Sequence, residues 1–133
     1  MTSLLTLPWP PSVNTYWRHP TKGALAGRHL ISEQGRKYRN EVAKCVLVQK
    51  TTRFLGDEPI RIEIVAYVPD RRRRDLDNIL KSMLDAITHA GVWADDTQVD
   101  DLRIYRARDS HGALLLEGKV MVLIESGCDD DKA

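Results

Sequence analysis

The stretch IRIEIVAYVPDRRRRDLDNILKSMLDAITHAG, residues 60–91, decides the fold. In its first part Ile60, Ile62, Ile64, Ala66 and Val68 alternate with Arg61, Glu63 and Tyr67. A period of two belongs to a strand with one face in a core. Pro69 cannot donate to a sheet ladder and ends the strand. The period then changes. Leu76, Ile79, Leu80, Met83, Leu84 and Ile87 recur at helical spacing, and Gly91 suits the end of a helix running from about Leu76 to Ala90.

Outward from this unit the other elements are plainer. Leu4 to Leu7 reads as a short strand, stopped or held at a sheet edge by Pro8, Pro10 and Pro11. Ser12 to Leu30 has no clear period and reads as a long surface loop. Ser32 suits the cap of a helix reaching about Lys50, with Tyr38, Val42, Cys45 and Val46 on its apolar face. Thr51 to Pro59 is a turn region. Val99 to Ala107 and Lys119 to Ile124 read as two further strands. The unbroken apolar run Val120 to Ile124 suggests a strand covered on both faces. The expected fold is α+β, a two-layer sandwich with a small mixed sheet of about four strands and two main helices. Residues 1–126 form one expected domain, and 127–133 an acidic tail.

Composition narrows the function. The 133 residues are 42% hydrophobic and 29% charged, an ordinary globular balance. No apolar run approaches a membrane span, and no basic segment precedes the apolar residues of Met1 to Leu7, so neither membrane insertion nor secretion is expected. Cys45 and Cys128 lack Cys or His neighbours at metal-site spacing, which argues against structural zinc. Cys45 reads as a small buried hydrophobe, and no disulfide is expected. The net charge of +1 hides an asymmetry: residues 1–53 carry nine Lys/Arg and two Asp/Glu, whereas residues 54–133 carry eleven and seventeen. A polyanion-binding protein needs its basic groups gathered, not in overall excess.

The chemistry concentrates between Asp70 and Asp101. Four consecutive arginines, Arg71 to Arg74, lie between a strand end and a helix start, where they must be solvated or meet anions. Asp75 and Asp77 follow at once, then Asn78, Lys81 and Asp95-Asp96. Magnesium takes oxygen ligands and is commonly held by one or two carboxylates plus phosphate and water. Asp75, Asp77 and Asp96 could supply such a site for a metal that activates water and holds a phosphate. Lys81, one turn beyond Asp77, could steady that carboxylate or meet charge building on phosphate. Asn78 and Asp95 stand as supporting polar groups. Each residue also has an ordinary reading: Asp75 or Asp77 as a helix cap, Asp77–Lys81 as an i,i+4 ion pair, Asp95-Asp96 as a turn, the arginines as a solvated face. An EF-hand is excluded, because counting from Asp75 position six is Leu80 and position twelve is Ala86. Asp96 lies beyond the end of a helix that Asp77 begins. The chain must double back, which is the expectation taken here, or Asp96 must come from a partner subunit.

The chain resembles the RusA family of Holliday junction resolvases, found in bacteria, phages and prophages. The resemblance rests on Leu7-Pro8-Trp9-Pro10-Pro11-Ser12 with Asn14, Tyr16 and Arg18, and on Ser32, Glu33, Gly35, Tyr38 and Arg39. It is densest in Pro69 to Asn78, Asp85-Ala86, Ala90-Gly91, Trp93, Asp95-Asp96 and Gln98-Val99. It implies a C2 homodimer that binds four-way junction DNA and makes paired nicks with Mg²⁺, Mn²⁺ substituting, in recombination and repair. No nucleotide cofactor and no membrane partner are implied, and the expected location is the cytoplasm of a bacterial host. The resemblance makes Asp75, Asp77 and Asp96 the essential metal-binding acids, Lys81 the catalytic lysine, and Arg71, Arg72, Arg73, Arg74 and Arg18 the DNA contacts. Where the familiar member has a phenylalanine just before Asp85, this chain has Leu84, so an aromatic contribution to opening the junction does not carry over. Residues 19–30 also diverge. The competing readings are a nuclease for flaps or other branched DNA, and a junction-binding protein that does not cut.

Overall fold

A computed structural model of the chain describes residues 1–127. The acidic tail expected over 127–133 therefore lies, from residue 128 on, outside the described residues, as does Cys128. The elements in chain order are β1 (Thr2–Pro8), α1 (Val13–Tyr16), β2 (Trp17–Arg18), β3 (Leu30–Ile31), α2 (Glu33–Val48), β4 (Ile60–Tyr67), α3 (Asp77–His89), a 3₁₀ turn (Asp96–Gln98), β5 (Val99–Arg106) and β6 (Lys119–Ser126).

Four strands form one mixed sheet in the order β1-β6-β4-β5. β6 is antiparallel to both neighbours, while β4 and β5 run parallel. A parallel pair cannot be joined by a hairpin, and α3 is the crossover between these two strands. Pro8 ends β1 on the sheet edge, where a missing N–H costs least. The expected α+β fold with a mixed four-stranded sheet is what forms, with three α-helices and not only the two long ones.

The sheet buries one face. Leu5 and Leu7 of β1, Ile60, Ile62, Ile64 and Ala66 of β4, and Val120, Val122 and Ile124 of β6 point into the core. Tyr38, Val42 and Val46 of α2 and Ile79, Met83, Ala86 and Ile87 of α3 complete it. Two expectations change here. β6 is central by pairing but is not covered on both faces, since Met121 and Leu123 remain half-buried on the open side. The segment Ser12 to Leu30 is not all loop. Ser12 accepts a hydrogen bond from the Thr15 N–H and starts α1, and Trp17–Arg18 then pairs antiparallel with Leu30–Ile31. One capped turn and a two-residue strand are too short to show a period. Cys45 is half-buried against the core with a free thiol.

This small β2–β3 ribbon is fastened to α2. Ser32 caps α2 by accepting from the Gly35 N–H at 2.9 Å, and its hydroxyl donates to the Tyr16 carbonyl at 3.0 Å. Gly35 sits so close to the ribbon that a Cβ there would meet Ile31 Cγ1 at 2.7 Å.

Candidate active site

The sequence from Asp70 to Asn78 leaves β4 and enters α3 through a loop that folds on itself. Arg74 turns back and binds Asp70, Nη1 to Oδ1 at 2.7 Å, and also donates to the carbonyls of Asp70 and Arg72. Arg72 Nε lies 3.4 Å from Asp70. The Arg74 guanidinium, with the Arg72 backbone N–H, holds the Asp70 carboxyl well below the usual carboxylate range. From β5, Arg106 donates to the Arg74 carbonyl. Arg74 is only 19% exposed. It braces the loop, whereas Arg71, Arg72 and Arg73 project into solvent. Arg18, on β2, is also exposed.

The ordinary explanations for the acids fail in a specific way. The residue before α3 is Leu76, and no side chain caps the helix. Asp75 and Asp77 are thus not spent on capping. Among the described residues no ion pair joins Asp77 to Lys81. The Lys81 ammonium lies instead over the Trp17 ring, 5.9 Å from its centroid. Two carboxylates and a lysine therefore stand near one helix start without neutralising one another, beside three exposed arginines.

Asp95 and Asp96 lie elsewhere. After Gly91, whose φ of 79° gives the chain its left-handed turn, Val92 and Trp93 are buried. Trp93 Nε1 donates to Thr88 Oγ1 at 2.6 Å, folding the segment back on α3. Asp95 caps the 3₁₀ turn by accepting from the Thr97 N–H at 2.9 Å, while Gln98 accepts from the N–H groups of Ala94 and Asp95. That bond from Thr97 lowers the Asp95 carboxyl, so Asp95 serves the turn. Burial pushes the Asp96 carboxyl up, helped by Asp95 and by the charge of Asp85. Asp96 thus faces the later turns of α3. Asp85 lies about one residue past two full turns from Asp77, about 12 Å along the axis. Among the described residues no group of three His, Cys, Asp or Glu stands close enough to hold a metal ion. Asp75 and Asp77 flank the start of α3, and Asp96 opens the 3₁₀ turn that follows the helix.

A buried network escaped the sequence reading. Tyr16 donates to Asp85 Oδ2, and Arg39 binds both, Nη2 to Asp85 at 2.8 Å and Nε to the Tyr16 oxygen at 3.0 Å. Burial, then the bond to Asp85, raises the Tyr16 hydroxyl above its usual range. The three residues lie on α1, α2 and α3, and their sequence separations follow no period. Residue type alone could flag only a tyrosine and an arginine facing a carboxylate. The network seats the end of α1, and hence Trp17, against α3 beside Lys81. Leu84 packs against the core.

A cleft opens next to these acids. It has a volume of about 570 Å³ and lies between Trp9, Pro10 and Pro11 after β1 and Arg72, Arg73 and Asn78 on the other side, with Asp75 on its wall. The proline wall is pinned: Ser82 Oγ donates to the Pro11 carbonyl at 2.7 Å and Tyr38 to the Pro8 carbonyl at 3.0 Å. The proline-rich start of the chain showed no period that would place it here. No helix among the described residues is long and apolar enough to cross a membrane.

Comparison with known proteins covers most of the chain. Residues 8–117 match the family model described as Endodeoxyribonuclease RusA. A protein of Enterobacteria phage HK97 named crossover junction endodeoxyribonuclease is 48% identical over 100 residues, covering 75% of this chain and 78% of its own. The proteins of that name from Escherichia coli strain K12 and Enterobacteria phage 82 are 43% and 44% identical, each match covering 84% of this chain and 88% of theirs.

Proposed function

Because the chain belongs to the RusA family of endodeoxyribonucleases, we propose that it resolves Holliday junctions by paired, symmetric, Mg²⁺-dependent nicks in recombination and repair, within the bacterial cytoplasm. The observation that carries this reading is the unneutralised pair Asp75 and Asp77 at the start of α3, beside exposed Arg71, Arg72 and Arg73.

The donor set fits the metal. Two carboxylates free of caps and ion pairs offer the hard oxygens that Mg²⁺ takes together with phosphate and water. A bound Mg²⁺ supplies a water of lowered pKa and neutralises charge on the scissile phosphate. We assign the third carboxylate to Asp96 of the partner subunit in a C2 dimer, a reading supported by the lack, among the described residues, of a three-acid cluster within one chain. A four-way junction has near two-fold symmetry, and a C2 dimer sets two identical centres on opposite strands.

The remaining roles belong to the chain itself. Arg71, Arg72, Arg73 and Arg18 bind backbone phosphates through charge-assisted bonds, reading the shape of the junction more than its bases. Arg74 holds the loop that presents them. Lys81 Nζ, in reach of the helix start and unpaired, meets negative charge building on the phosphoryl oxygens. Asn78 is free to orient a phosphate or a base.

The test is cleavage of a synthetic mobile four-way junction with Mg²⁺, alongside linear duplex and flap DNA. Paired nicks confined to the junction are expected. Equal cutting of flaps would make it a general branched-DNA nuclease, and tight binding without cutting would make it an architectural binder.

A further inference from the structure

The cleft beside Asp75 joins an apolar wall to a cationic one. One wall is an indole and two prolines, and the other carries three arginines, Arg72 to Arg74, and a carboxamide. Its volume of about 570 Å³ lies within the range of small-molecule sites. Both walls are held in place, one by Ser82 and Tyr38 on the proline carbonyls, the other by the Arg74–Asp70 pair. The Asn78 carboxamide makes no hydrogen bond among the described residues, so its donors and its acceptor are unspent. A flat apolar face, a polar edge and an adjacent anion are the three parts of one nucleotide.

We propose that this cleft takes the nucleotide flanking the scissile phosphate, its base unstacked from the junction and laid against the Trp9–Pro11 wall, its edge read by Asn78. The inference rests on the reading that Asp75 and Asp77 form the cutting centre, since it is Asp75 on the cleft wall that ties the pocket to the cut. A branch point already interrupts base stacking, so extruding a base there costs less than in a duplex. Aromatic contact with an extruded base tolerates any base. A carboxamide, with donors and acceptor fixed side by side, discriminates between base edges. Trp9 thus supplies occupancy and Asn78 supplies preference at the cut.

Two measurements test this on the whole protein. In the first, junctions carry an abasic residue at each nucleotide around the branch point, and their cutting is compared with that of intact junctions differing only in the flanking base. At one position the abasic residue should slow cutting by roughly ten- to a hundredfold. Trp9→Ala should slow the intact junction similarly without slowing the abasic one further, and Trp9→Phe should restore most of the rate. Asn78→Ala should level the rates among the four flanking bases. In the second, 2-aminopurine is scanned across the same positions with EDTA present, so that no strand is cut. Binding should change its emission at one nucleotide, and Trp9→Ala should remove that change. Normal junction cutting with no abasic effect, no Trp9-dependent emission and an unaltered base preference in Asn78→Ala would overturn the pocket and leave the nuclease reading intact. A Trp9-dependent emission change in a protein that cuts no junction would do the reverse.

Discussion

Asp77 has no cationic partner in the folded chain, and this sets what its loss should do. Asp77→Asn keeps the shape but removes the charge proposed to bind metal and a repulsion toward phosphate. Cutting should be abolished while junction binding is unchanged or tighter, as read by gel shift with and without Mg²⁺; parallel loss of both would mean a folding defect. Lys81 gives a complementary case. Lys81→Ala should cut poorly while the junction and the metal still bind, and near-normal single-turnover rates would reduce Lys81 to a cation resting on Trp17. Tyr16 makes a prediction in pH. Its hydroxyl is raised above the ordinary value of 10.0, first by burial and then by its bond to Asp85. The folded state therefore holds this proton where the unfolded chain releases it. The stabilisation is complete below about pH 10 and is lost as pH rises toward the folded value. Urea denaturation between pH 8 and 11 should show the wild type weakening from about pH 10 upward and Tyr16→Phe, less stable at neutral pH, depending less on pH.

The strand β4 and the helix α3 could be read from their periods, because each presents one face to a core and residue type repeats with that face. The 3₁₀ turn and the β2–β3 ribbon could not. Their stability comes from single side chains, Asp95, Gln98, Ser12 and Ser32, acting on backbone groups nearby, and one cap has no period. The candidate site divides in the same way. Asp75, Asp77 and Lys81 are close in sequence, so their grouping was visible. Trp9 and Asn78 line one cleft from 69 residues apart, and Arg39 and Asp85 meet across 46; the Ser82–Pro11 bond and the packing of α2 on α3 bring them together. Gly35 tests that packing at the level of the element. Gly35→Ala would gain helix propensity worth about 1 kcal/mol, yet its Cβ would press on Ile31 and the Tyr16 backbone. Overpacking of this kind costs about 1–3 kcal/mol. Net destabilisation is expected in thermal melts, with the ribbon and Trp17 displaced from Lys81; a rise in Tm would show that the ribbon yields freely.

At the scale of the assembled molecule, the position of Asp96 makes the strongest demand. If Asp96 of the partner subunit completes each centre, Asp77→Asn and Asp96→Asn homodimers are both inactive, but mixing them by subunit exchange regenerates one intact centre per heterodimer. Such heterodimers should nick one strand of a four-way junction and leave the other. Continued inactivity of the mixture would place all three carboxylates within one chain. The proposed dimer would double the surface offered to phosphate without raising the net charge much.

The pairing of β1 with β6 joins Thr2 to Glu125. The sheet therefore closes only when nearly the whole sequence is available. During synthesis on a ribosome, β4, α3 and the arginine loop emerge well before the strand that must lie between β1 and β4. Contacts so distant in sequence slow folding, because a long loop is closed before any of its burial is gained. Until β6 arrives, Ile60, Ile62 and Ile64 lack their neighbour on one side, and α3 has no finished sheet beneath it. On the proposed reading, a nascent chain thus carries its arginines early and its cutting geometry last, so synthesis itself separates contact with nucleic acid from the capacity to break it.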